Sequence, residues 1–260
     1  ITGYATPTKT FSTAIVNPIL QQYLRRNDRL LFKHGDRDFY KNDRIIHVNA
    51  NSYSMQRYVQ VDENTYKGVV TFGVMNGEVG SLVDIVRSDM VNLIPYKEAD
   101  LKEPLYKGVN GLQRLVEARE AREDLRDESL YKDPNYYFVK VKFYDVDLGR
   151  DVYAMYVARA YMQEEFFALS GSDLSNLDLA YALTTHKMQG SQSPVVILLF
   201  GSQCSPYFIN RNMLNTMITR SQEVVVSVGT VLGSESPINR GRMIASPVKT
   251  NSLLTLMSEM

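Results

Sequence analysis

Thr184-Thr185-His186-Lys187-Met188-Gln189-Gly190-Ser191-Gln192 stands between two apolar runs. Leu177-Asp178-Leu179-Ala180-Tyr181-Ala182-Leu183 precedes it, and Pro194-Val195-Val196-Ile197-Leu198-Leu199-Phe200 follows. The second run is dense in β-branched and large residues and reads as a buried strand. Hydroxyls, an imidazole, an ammonium, amides and a glycine are crowded between the two. A packed core does not hold that many polar groups without partners for them. Presented by a loop with a glycine, they suit phosphate oxygens.

Downstream, Asn212–Ser221 has a helical pattern, with Met213, Leu214, Met217 and Ile218 apolar, and Val224–Val228 reads as another buried strand. Strand, helix, strand implies a parallel pair with a right-handed crossover. The C-terminal third is therefore expected to be α/β. At the other end, Thr8, Thr10 or Ser12 could cap a helix over roughly 13–26. Its apolar stripe is expected to be Ile15, Ile19, Leu20, Tyr23 and Leu24. Pro18 requires either a later start or a place in the first turn.

The middle of the chain has a different texture. Gly35-Asp36, Asn42-Asp43, Asn49 through Ser52, Asp62 through Asn64 and Asn76-Gly77 are turn signals between short alternating pieces. Asn76-Gly77 is the strongest hairpin signal, between Val69–Val74 and Val79–Val86, because the pair tolerates positive φ at both turn positions. Val139, Val141 and Phe143 alternate with Lys140 and Lys142, which gives one buried and one basic face. Val152–Ala158 reads as the partner strand. Lys140 and Lys142, flanked by Tyr136, Tyr137 and Tyr144, resemble a strand facing nucleic acid, with tyrosines on which bases stack. An ordinary exposed strand face fits the same residues. Gly111–Leu130 is rich in helix formers with charges of alternating sign. It is expected to be a partly exposed helix, with a protein partner as the minority reading.

The organisation expected from these patterns is a discontinuous α/β domain over 1–44 and 171–260. A β-rich domain over 45–170 is inserted in it, with a helical excursion at about 91–135. The chain has 260 residues, with 29 basic and 29 acidic side chains, so any nucleic-acid site must be a local patch. One cysteine, Cys204, excludes an internal disulfide and fits a cytoplasmic setting. No apolar run approaches the roughly 20 residues of a membrane span. Ile1 opens the sequence without a methionine or a signal pattern, so a fragment of a longer protein is expected.

Several segments resemble one family. Leu179 through Ser191 is similar to motif V of superfamily 1 helicases of the RecD type, A-Y-A-x-T-x-H-K-x-Q-G-S-E. Leu214-Asn215-Thr216-Met217-Ile218-Thr219-Arg220-Ser221 resembles their motif VI, L-Y-T-A-x-T-R-A. Val16-Asn17-Pro18-Ile19-Leu20-Gln21 looks like the L-N-x-x-L-Q helix that opens the second motor domain. Asn76-Gly77-Glu78-Val79-Gly80 looks like the N-G-D/E-I-G of its inserted barrel. Order and spacing agree from about residue 5 to 230.

The resemblance implies a RecA-like parallel-sheet domain with an inserted small antiparallel β-barrel carrying an extra helix. It implies the C-terminal portion of an ATP-dependent DNA helicase, moving 5′ to 3′, with ATP held between this domain and an N-terminal RecA-like partner domain. Arg220 would be the arginine finger, the catalytic residue, whose planar guanidinium meets the γ-phosphate. Thr184 or Thr185, with His186 and Lys187, would hold single-stranded DNA. Gln189, Gly190 and Gln192 would lie toward ATP. Gln192 departs from the family glutamate, and an amide accepts a hydrogen bond without charge. No G-x-x-x-x-G-K-[ST] loop occurs in the sequence, and no acidic Mg²⁺ motif follows a buried strand. The Mg²⁺ ligands are thus expected outside this chain, which by itself should not hydrolyse ATP. The alternative is a non-catalytic nucleic-acid-binding module that keeps the helicase fold.

Overall fold

The computed structural model describes residues 12–25, 28–48, 55–69, 73–94, 134–146, 148–163, 166–188, 192–200 and 211–229. The expectations for 111–130, for most of 91–135 and for the segments at the two chain ends lie outside the described residues. The chain divides into two compact units, Ile1–Tyr23 with Tyr181–Met260, and Leu24–Ala180.

The first unit contains helix α1 (Thr13–Leu24, to Tyr23), strand β12 (Ser193–Phe200), helix α2 (Arg211–Ile218) and strand β13 (Ser221–Gly229). β12 and β13 pair in parallel, Val195 opposite Val224 through Phe200 opposite Gly229, with α2 between them in sequence. This is the α/β pattern expected from the apolar runs. Val196 and Leu198 point to the same side and pack with Leu214 and Met217 of α2 in one buried cluster. The ladder is irregular between Ser193 and Val195, where Pro194 has no N–H to contribute.

The second unit is β-rich. β1 (Leu30–His34), β2 (Arg37–Tyr40), β3 (Arg44–His47), β6 (Val79–Arg87), β8 (Tyr136–Asp145), β9 (Arg150–Gln163), β10 (Phe166–Ser170) and β11 (Leu177–Leu179) form one sheet. Its order is β11-β3-β6-β8-β9-β10-β1-β2. β4 (Tyr58–Gln60) joins β9, and β5 (Thr65–Gly68) links β4 to β7 (Asn92–Ile94). β1–β10 and β5–β7 are parallel, and the other pairings are antiparallel. The described strands of this unit form one large mixed sheet, in which no ladder among the described residues joins the outer strands. The strands over 30–47 and 177–179 all pair inside it. The two units part near 23 and 180.

The Asn76-Gly77 signal marks a turn but not the expected hairpin. Glu78 N–H donates to Met75 O at 3.1 Å, and Gly77 alone of the two central residues has positive φ, at 91°. That is type II geometry, which splays the flanking chains apart. β6 accordingly pairs with β3 and β8, and Val74 bridges to Met55. Gly80 is needed for a different reason. A Cβ there would lie 2.5 Å from Lys142 O and 2.8 Å from the Phe143 ring.

Buried polar groups tie this unit together. Arg57 donates from Nη1 to Asp145 Oδ2 at 2.7 Å and from Nη2 to Glu78 Oε2 at 2.8 Å. Its side chain is 7% exposed, and Asp145 is 3% exposed. Glu78 Oε2 also accepts from Met75 N–H, and Asp145 Oδ1 from Leu148 N–H. One cation thus joins the Met75–Glu78 turn to the turn between β8 and β9.

Candidate nucleotide and nucleic-acid site

The polar loop begins under α1. The helix starts at Thr13, with Ser12 O accepting from Ile15 N–H and Val16 N–H at 2.9 Å each. Pro18 lies inside the helix, past the first turn, so it costs α1 one intrahelical bond. The buried face is not the expected one. Val16, Asn17 and Gln21 are buried, whereas Ile15, Ile19, Tyr23 and Leu24 are exposed. Asn17 Oδ1 accepts from Ala182 N–H at 2.6 Å, both groups being buried. Sequence reading recorded this helix but gave Asn17 no role. Its signal was an Asn and a Gln four apart, which places both on one helix face.

From Thr184 the chain makes a single tight turn. Met188 N–H donates to Thr184 O at 3.1 Å and to Thr185 O at 3.2 Å. Thr184 Oγ1 accepts from Lys187 N–H at 3.3 Å, so its side chain closes the turn it begins. The turn sorts the four expected DNA residues. His186 is exposed, and Thr184 and Lys187 are half-buried. Thr185 is 2% exposed, and its hydroxyl has no hydrogen-bond partner among the described residues. Gln189 and Gly190, expected toward ATP, lie outside the described residues.

Beyond the loop, the two motif-bearing segments meet at the start of the parallel pair. Ser193 N–H donates to Arg220 O at 3.0 Å, and Gln222 Nε2 lies 3.4 Å from Gln192 Oε1. Ser193 and Ser221 are register partners. Gln192 is therefore beside the segment that carries Arg220, with Gln222 as its neighbour, a contact sequence reading missed.

Arg220 sits just past α2, half-buried. Its Nε donates to Thr216 O at 3.2 Å, and Nη2 to Thr219 Oγ1 at 3.3 Å. Both bonds lie at the C-terminal end of α2, where carbonyls lack intrahelical partners and a cation is favoured. They hold the plane of the guanidinium in a defined orientation. A planar, oriented, permanently charged donor fork fits a polyphosphate oxygen in chemistry.

Lys140 and Lys142 belong to the other unit, on β8. Lys140 Nζ donates to Tyr66 OH at 2.9 Å and lies 5.3 Å from that ring's centroid. Lys142 Nζ is 3.1 Å from Asp151 Oδ2. The face expected to be basic is partly roofed, because Tyr58 and Tyr66 of β4 and β5 pack with Phe138 and Met155. Both ammonium groups thus have partners within the protein.

Residues 179–228 match the family described as UvrD-like helicase C-terminal domain. The chain is similar to the ATP-dependent RecD2 DNA helicase of Deinococcus radiodurans, 37% identical over 62 residues, which is 24% of this chain and 8% of that protein. A crystal structure of the Pif1 helicase from Candida albicans aligns with 95% of this chain and 47% of its own, at 9% identity and a TM-score of 0.41. The chain thus spans under a tenth of its RecD2 relative and about half of the Pif1 chain. Among the described residues no helix is long and apolar enough to cross a membrane.

Proposed function

We propose, for a chain whose residues 179–228 match a UvrD-like helicase C-terminal domain and which is similar over 62 residues to a RecD2 helicase, that it supplies the second motor domain of an ATP-dependent DNA helicase moving 5′ to 3′. The observation that carries this reading is the junction at the start of β12 and β13. The Ser193–Arg220 bond and the Gln192–Gln222 contact fasten the end of the polar loop to the segment bearing Arg220. A change felt at the Arg220 guanidinium has a short covalent and hydrogen-bonded path to the turn at Thr184–Lys187.

In this reading Arg220 is the arginine finger, steadied by Thr216 O and Thr219 Oγ1. Gln189, Gly190 and Gln192 face the nucleotide. His186, Thr184 and Lys187 hold the phosphates of single-stranded DNA. Thr185, buried as it is, shapes the turn from inside. Lys140 and Lys142 contribute charge to a strand path only by giving up the partners described above. ATP would supply the phosphoryl group whose hydrolysis drives movement, with Mg²⁺ held by an N-terminal RecA-like domain of the same protein. The chain alone would then be inactive toward ATP.

The test is Arg220→Ala in the full-length protein. ATP turnover should fall by about 10³-fold or more, the usual weight of an arginine finger, while binding of an oligothymidylate is retained. Turnover within a few-fold of the unaltered protein would refute the assignment. Absence of turnover in the unaltered protein as well would favour the non-catalytic nucleic-acid-binding module.

A further inference from the structure

We infer that Asn17 is a positioning residue for the Thr184–Lys187 turn, an inference that rests on the nucleic-acid role proposed above. Helix α1 buries Val16 but does not bury its isoleucines. It buries Asn17 and Gln21, four residues apart, and exposes Ile15, Ile19 and Tyr23. Burying a carboxamide while leaving isoleucines in water is unfavourable unless the carboxamide has a specific task.

The bond to Ala182 supplies that task. It is short, at 2.6 Å, and spans 165 residues of sequence. Ala182 is fully buried, so its N–H would be an unpaired buried donor without Asn17. Ala182 lies two residues before Thr184, whose carbonyl and hydroxyl organise the turn. At the other end, Ser193 N–H is held by Arg220 O. The loop is thus fixed at its entrance by α1 and at its exit by the segment after α2. A shift of α1 moves the entrance, and with it the exposed His186.

The experiment compares Asn17→Ala and Asn17→Asp with the unaltered full-length protein. Aspartate retains an acceptor oxygen, and alanine does not. Hydrogen–deuterium exchange should quicken about tenfold or more at Ala182–Met188 in Asn17→Ala, with Val195–Leu199 unchanged. Affinity for oligothymidylate should weaken about tenfold, with ATP turnover in the absence of DNA unchanged. Asn17→Asp should restore most of both in mild acid, where its buried carboxyl is protonated and accepts without charge. Unchanged exchange at Ala182–Met188 in Asn17→Ala, or equal loss in the two variants in mild acid, overturns the positioning role. Failure of the unaltered protein to bind oligothymidylate overturns the function proposed above, and the exchange result then decides the positioning role by itself.

Discussion

Replacing Arg57 with leucine should destabilise the β-rich unit severely, and in a pH-dependent way. The guanidinium is 7% exposed and lies between Asp145, 3% exposed, and Glu78, 19% exposed, at 2.7 and 2.8 Å. Leucine fills much of the volume but leaves two carboxylates near one another without their cation. Breaking a buried pair in this way costs about 3–5 kcal/mol. That lowers the folding equilibrium constant by about 10²–10³·⁵. Glu78 sets the sign of the pH dependence. Burial already pushes its pKa above the ordinary carboxylate value, against the Met75 N–H bond and the Arg57 charge, which pull it down. A raised carboxylate pKa means that the folded state holds its proton more tightly than the unfolded chain. Stability is then greatest below the unfolded value and declines as pH rises through the folded one. Without Arg57 the folded value rises further, so the penalty is largest at neutral pH and shrinks in mild acid. Urea unfolding at pH 7.5 and pH 5 should show the full loss at the first and a clearly smaller one at the second. A loss below about 1 kcal/mol, as for an exposed pair, or the same loss at both pH values, would refute this reasoning.

Two further perturbations test the same unit. Burial lowers the pKa of His47 from 6.5 to about 4, against the pull of Asp173 in the opposite direction. The neutral ring lies 2.9 Å from Tyr156 OH through Nδ1. Stability linked to His47 is complete above about pH 6.5 and is lost as pH falls toward 4. His47→Gln should flatten the urea-unfolding profile across that window, and an unchanged slope would contradict it. Gly80→Ala places a methyl against Lys142 O, which is backbone and cannot rotate away. It should cost about 1–3 kcal/mol, in the range of overpacking, read as a lower thermal midpoint of this unit; a neutral substitution would show that β6 can move off β8.

The sequence revealed local periodicity well and long-range pairing poorly. Apolar spacing located the parallel β12–β13 pair with α2 between them, and the β8–β9 pairing, but it read both parallel strands as buried, whereas Val224, Val226 and Val228 are exposed. β1 instead pairs in parallel with β10, Lys33 opposite Ala168, and no local pattern encodes a partner so distant. That pairing carries β1 and β2 into the large sheet. Alternation on β8 located Val139, Val141 and Phe143 correctly. It could not reveal that β4 and β5 cover part of the other face and engage Lys140. On α1, hydrophobicity chose the wrong face, because a carboxamide bonded to Ala182 outweighed the isoleucines. The loop's chemistry was legible as residue types. Which of its members are exposed was not, because Thr184 and Thr185 differ only in where the turn points them.

ATP hydrolysis by the full-length protein, followed with and without saturating oligothymidylate, bears on the helicase reading as a whole. Under the proposed function, the loop that joins the Thr184–Lys187 turn to the segment of Arg220 should make turnover depend on DNA, with stimulation of about tenfold or more. Hydrolysis indifferent to DNA would mean that the Ser193–Arg220 junction transmits nothing between the two sites, and no hydrolysis under either condition would remove the motor assignment itself.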